Sequence, residues 1–242
     1  MITKMTRHFV AVFAFIALLT GFTQAQTVQN VDAVRFMELT KQKDILLLDV
    51  RTEGEYSRGH IKGSTLIDLS SPSAANRLGL LQKNKTILIY CLSGSRSTVV
   101  AQYMQKQGFG KIYNLTYGLM DWNQKGYPLE QSNQPMASSG TSYTTQTFNK
   151  LLADNKLVLV DFHAVWCAPC KAMNPVIEKI TTDFKGKARV EKVDVELNKA
   201  ITAAWQVQSV PGFVLFKGGQ KVWSHTGTIS YEDLSGIIKK YL

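Results

Sequence analysis

Leu157-Val-Leu-Val-Asp161-Phe-His-Ala-Val-Trp166-Cys167-Ala-Pro169-Cys170-Lys171 is the stretch on which the fold of this 242-residue chain turns. Its first six residues are an apolar run broken by one acid and read as a strand. Two cysteines then stand three apart. Residues 168–184 read as one long helix with Pro175 inside it, where a kink is expected. Two thiols so spaced at a helix N-terminus can close a small disulfide, and the helix end stabilises the first thiolate. Pro169 sits where its missing N–H costs little. A Cys-x-x-Cys pair is also half of a zinc site. The chain holds no second such pair, and a turn separates His163 from Cys167, so no metal is expected.

Working outward, residues 189–194 read as a strand. Residues 212–217 and 221–225 flank Gly218-Gly219, a hairpin signal. Residues 230–241 close as a helix, with Ser230 and Asp233 placed like a capping box. Toward the N-terminus, residues 131–142 are small and polar and read as a flexible linker. Ahead of them lie strand candidates at 45–50, 86–90 and 112–115 and helix candidates near 31–41, 74–81 and 97–107. Strands alternating with helices argue for a parallel α/β sheet. The division expected is residues 1–25, 26–130, a linker over 131–142, and 143–242.

Composition bounds the rest. At 45% hydrophobic and 19% charged the chain is an ordinary globular one, not a largely disordered one. Three cysteines are too sparse for a disulfide scaffold, and an odd number leaves at least one thiol unpaired within the chain. The net charge is +10, but Lys and Arg are scattered, so no nucleic-acid partner is expected. Lys4 and Arg7 precede an unbroken apolar run over 9–19. Gly21 follows it, and Thr23-Gln24-Ala25 sets small residues two apart, the order of a secretory signal peptide. The run is shorter than the roughly 20 residues a span needs. Cleavage after Ala25 is expected, giving an exported chain that starts at Gln26 and has no membrane attachment. In a Gram-negative cell its place is the periplasm or envelope. A thiol there meets oxidants.

Cys91 follows the strand at 86–90 and opens Cys91-Leu-Ser-Gly94-Ser-Arg96-Ser97, after which a helix begins. A strand-to-helix loop with a central Gly can turn its N–H groups inward and lower the pKa of a thiol held there. Arg96 adds positive charge that suits an anionic substrate. On physics alone the loop serves a thiol enzyme or a cysteine-based phosphatase, or Cys91 is simply a buried structural residue.

Two resemblances sharpen this reading. Residues 31–130 resemble the rhodanese (sulfurtransferase) family through Leu48-Asp49-Val50-Arg51, Glu55-Tyr56, Gly59-His60-Ile61-Lys62-Gly63-Ser64, the Cys91 loop, and Gly118 with Trp122. That resemblance implies a persulfide carried on Cys91, in a pocket formed with Gly94, Arg96 and Ser97. The short Cys-to-Arg spacing resembles sulfurtransferases rather than dual-specificity phosphatases. Tyr117 departs from the family's usual glycine pair. Asp49, Arg51 and His60 read as structural, at a strand end and a turn.

Residues 142–242 resemble thioredoxin through Val160-Asp161-Phe162, the dithiol, Pro175, Val210-Pro211, Gly212-Phe-Val-Leu-Phe-Lys-Gly-Gly219 and Gly227. This implies a thioredoxin fold with a mixed sheet. Cys167 would be the attacking thiol and Cys170 the resolving one of a redox disulfide. Asp161 would be a buried acid with Lys192 as its partner, and Pro211 a cis-proline beside the disulfide, with Trp166, Pro169 and Val210 as further support. Ala168 stands where glycine is usual, and His163 where tryptophan is common. The fold class expected is therefore two α/β domains, a rhodanese-like parallel sheet followed by a thioredoxin fold. The expected activity is a thiol-disulfide oxidoreductase combined with a sulfurtransferase, needing no cofactor. A sulfane-sulfur donor or a protein disulfide would be substrate, and an external electron donor would serve the dithiol. The alternative is an envelope reductase whose first half only binds or senses.

Overall fold

The structure is a computed structural model and describes residues 28–132 and 140–242. The signal peptide expected at 1–25 and most of the expected linker lie outside the described residues. The first domain runs β1 (Val28–Val31), α1 (Ala33–Thr40), β2 (Ile45–Asp49), α2 (Glu53–Arg58), β3 (Thr65–Leu66), α3 (Ala74–Gly79), β4 (Thr86–Tyr90), α4 (Ser95–Lys106), β5 (Ile112–Leu115) and α5 (Gly118–Gln124). The second runs α6 (Thr145–Asp154), β6 (Leu157–His163), α7 (Ala168–Asp183), β7 (Arg189–Asp194), α8 (Lys199–Ala204), β8 (Gly212–Lys217), β9 (Gln220–Thr226) and α9 (Tyr231–Tyr241).

The first sheet has the order β1-β5-β4-β2-β3, every pairing parallel. Its strands β2 and β4 are nearly all apolar because helices cover both faces. Alternation then splits them. Leu46, Leu48, Val50, Ile87, Ile89 and Cys91 enter one apolar cluster, while Leu47, Leu88 and Tyr90 enter another with Phe36 and Trp122. The second sheet is mixed, with order β7-β6-β8-β9. β6 pairs β7 parallel and β8 antiparallel, and β8 and β9 form the expected hairpin. Gly218 and Gly219 turn that hairpin at φ of 56° and 81°. The two α/β domains are therefore those the sequence implied.

Some elements differ from the expectation. The helix expected from residue 31 starts at Ala33, because Asp32 caps it by accepting from the Arg35 N–H. Val28–Val31 is instead an edge strand on β5, its polar Gln29 and Asn30 hiding the strand pattern. The short elements β3, α2, α5 and α8 gave too few residues for a period to register. α6 is a helix additional to those expected, and its capping box pairs Thr144 with Thr147. α7 passes through Pro175 as one helix.

The domains pack together through the segment 65–82 of the first. The cluster holding Cys91 continues across the boundary to Val160, Phe162, Trp166, Cys167, Cys170 and Val210.

Candidate functional site

The dithiol lies where β6 gives way to α7. Cys167 is the N-cap residue and Cys170 the third of the helix, and a disulfide joins them. The Cys170 N–H donates to the Cys167 sulfur at 3.1 Å. That satisfies one orphan donor of the helix start and directs positive potential at the sulfur that would carry the thiolate. Pro169 has no donor to satisfy. The Ala168 N–H is taken by the Thr65 hydroxyl of the first domain at 3.0 Å.

Asp161 sits on β6, is 3% exposed, and pairs in register with Lys192 on β7 and Phe213 on β8. Burial pushes its carboxyl up to about 7, only partly opposed by the Lys192 charge. The Lys192 ammonium itself donates to Asn174 at 2.8 Å, so it reaches Asp161 through its field. A carboxyl with that pKa can hold or release a proton near neutrality. Burial lowers His163. The Val210–Pro211 peptide bond is cis. Trp166 is buried and its indole Nε1 has no partner among the described residues, while the Arg77 guanidinium lies 5.7 Å over its ring.

Cys91 is the one thiol outside the disulfide and is fully buried. Its sulfur accepts from the Gly94 N–H at 3.1 Å and from the Ser97 hydroxyl at 3.6 Å. Burial alone would raise this thiol. The N–H groups of Ser97, Ser93 and Gly94 and the Ser97 hydroxyl outweigh it and hold the pKa below its ordinary value. Glycine is required in the loop. Gly94 has φ of 91°, and a Cβ there would collide with the Thr116 carbonyl. Gly118 has φ of 57°, and a Cβ there would collide with the carbonyls of Cys91 and Leu92. Tyr117, which departs from the family pattern, is exposed.

Arg96 lies in the first turn of α4, just after the Cys91 loop, and its guanidinium is held by both carboxylate oxygens of Glu55. That hydrogen bonding keeps Glu55 ionised down to about 2 and raises Arg96 further. Glu55 lies 41 residues from Arg96, so the sequence alone does not point to the pair. It also serves the capping box of α2, which was the one local signal present. Asp49 and Arg51 form a buried ion pair at 2.6 Å, with Arg51 also donating to the Gly59 carbonyl. His60 stacks on Tyr56 with ring centroids 3.7 Å apart. The two thiol sites share a side of the first sheet. Thr65 pairs in the row of Leu48, and Leu48 pairs with Ile89, two residues before Cys91. Two strand spacings, about 10 Å, separate the β3 and β4 positions.

The thioredoxin family model matches residues 140–240, and the rhodanese-like domain model matches residues 32–125. Thioredoxin 1 of Nostoc sp. is 36% identical over 106 residues, which are 43% of this chain and 99% of that protein. A Staphylococcus aureus thioredoxin is 42% identical over 84 residues, 35% of this chain and 81% of its own. A solved thioredoxin of Halobacterium salinarum aligns at 31% identity over 43% of this chain and 96% of its own, with a TM-score of 0.39. With its redox-capable Cys167–Cys170 pair, the chain belongs to the thioredoxin family, its thioredoxin domain preceded by a rhodanese-like domain.

Proposed function

We propose that this protein is an exported thiol-disulfide oxidoreductase in which Cys91 carries a sulfane sulfur as persulfide and the Cys167–Cys170 dithiol discharges it. The Cys167 thiolate attacks the outer sulfur, breaking the persulfide S–S bond and freeing the Cys91 thiolate. Cys170 then attacks Cys167, closing the disulfide and expelling hydrosulfide. The sulfane sulfur gains two electrons and the dithiol loses two. Asp161 takes up the proton that Cys170 sheds. An external dithiol donor then restores the pair. The observation that carries the coupling is the continuous apolar cluster containing Cys91, Cys167 and Cys170.

The test uses the full chain, reduced and freed of reductant, with a polysulfide donor. Sulfide release should match formation of the Cys167–Cys170 disulfide, and Cys91→Ser should release none. Equal release by that variant would mean the dithiol reacts with the donor directly. A second reading makes the rhodanese-like half a binding or sensing module, with the dithiol working on envelope proteins. The complete burial of Cys91 and the engagement of Arg96 by Glu55 favour it. Export rests on the signal-peptide pattern in residues 1–25. Intact mass of the secreted chain should show Gln26 at the N-terminus, and a chain still beginning at Met1 in the membrane fraction would overturn it.

A further inference from the structure

We propose that segment 65–82 of the rhodanese-like domain is a built-in plug on the Cys167–Cys170 disulfide. Outside thiols then reach the disulfide only after the domains part, and the Arg77–Glu196 ion pair is the latch. This does not depend on Cys91 carrying sulfur.

Backbone donors on either side of the disulfide point to the plug. At the start of α7, Cys170 donates to the Cys167 sulfur and Pro169 has no N–H. Ala168 therefore presents the outward donor, and Thr65 of the other domain takes it. Val210, next to the cis-proline, presents another, and the Leu80 carbonyl takes it at 3.0 Å. A foreign polypeptide lying along the disulfide would have to displace both contacts, since a buried N–H left unpaired is costly. Burial agrees. Cys167 is 2% exposed and Cys170 5%, so a thiolate cannot come into line with the S–S bond.

Ile67, Leu78 and Leu81 bury apolar surface against the second domain, and a small set of polar ties fixes the plug in place. Arg77 Nε and Nη2 meet the Glu196 oxygens at 2.9 and 3.0 Å, and the same guanidinium covers Trp166. Gln82 lies against Gly227, where even a Cβ would crowd it. Open grooves notch the contact on either flank. One of about 490 Å³ is lined by Arg77, Leu80, Glu196 and Val207, and one of about 620 Å³ by Leu81, Gln82, Ser209 and Thr226. The proposal requires this grooved interface to open while each domain keeps its own sheet and helices.

The step being gated is exchange. A thiolate of dithiothreitol attacks the Cys167 sulfur and forms a mixed disulfide. Cys170 leaves as thiolate and takes a proton. The second dithiothreitol thiol closes its own ring and frees Cys167, so two electrons pass from dithiothreitol to the protein.

The experiment follows reduction of the full-length oxidised chain by dithiothreitol, using alkylation and mass analysis. Arg77→Glu, which sets like charges together, should be reduced at least about fivefold faster than the wild type, and adding Glu196→Arg should bring the rate back down. Amide exchange of the unmodified chain should show Val210 and Ala168 strongly protected. Reduction of Arg77→Glu at the wild-type rate, or exchange of those two amides as fast as open loop amides, would overturn the proposal.

Discussion

Arg96 and Glu55 meet through two parallel hydrogen bonds, Nη1 to Oε2 at 2.8 Å and Nη2 to Oε1 at 2.7 Å. The positive charge beside the Cys91 loop is therefore already answered by a carboxylate of α2. Two planar groups matched in this way are a strong and directional pair.

Glu55→Gln should accordingly speed loading of Cys91 from thiosulfate, because the guanidinium is released toward an anionic donor. Arg96→Ala should slow loading from thiosulfate more than from a neutral donor. Mass analysis of the persulfide against time measures both. Equal slowing of Arg96→Ala with the two donors would show that Arg96 only braces the loop through Glu55.

Asp161 makes stability depend on pH in a definite direction. Burial pushes its carboxyl up to about 7 in the fold, against about 3.9 for an ordinary aspartate. Between those values the folded state holds a proton that the unfolded chain has lost. Stability therefore falls as pH rises from about 4 to about 7 and levels off above. Asp161→Asn carries no such penalty. Its advantage over the wild type should be larger at pH 8 than at pH 4, by on the order of 3 kcal/mol. Urea unfolding of the oxidised proteins at the two pH values tests this, and an advantage independent of pH would refute the assignment.

The cysteines of α7 should separate by role. Cys167→Ser should abolish insulin reduction in dithiothreitol, since the attacking sulfur is gone. Cys170→Ser should still attack but accumulate mixed disulfides, because nothing resolves them. Non-reducing gels and mass analysis distinguish the two. Equal insulin reduction by Cys167→Ser and the wild type would place the activity elsewhere.

Gly94→Ala should damage one site and spare the other. Its φ of 91° and the Thr116 carbonyl both oppose a side chain. The first domain should lose about 2 kcal/mol or more, and Cys91 should no longer load. Insulin reduction by the second domain should persist. Normal loading of the variant would mean that the Gly94 N–H is not what holds the Cys91 sulfur.

Local signals mark both cysteine loops in the sequence. A strand, a cysteine and a helix start lie within a few residues of each other at Cys91 and again at Cys167, so the placement of each thiol is encoded over short range. The expected β8–β9 hairpin was legible because Gly218-Gly219 permits its turn. What escaped were elements too short or too polar to show a period, such as Val28–Val31 and Thr65–Leu66. Both are edge strands whose pairing comes from a distant segment.

The sequence by itself determined two α/β halves, a single cysteine in one and a dithiol in the other, because strand hydrophobicity, loop glycines and Cys-x-x-Cys spacing act between neighbours in the chain. Only the tertiary structure decided that Glu55 answers Arg96, that Leu80 takes the Val210 donor, and that Thr65 takes that of Ala168. The last of these joins residues 103 apart in sequence. A carbonyl or a hydroxyl carries no mark of its partner, and such a pairing exists only once the burial of apolar surface has brought distant segments together.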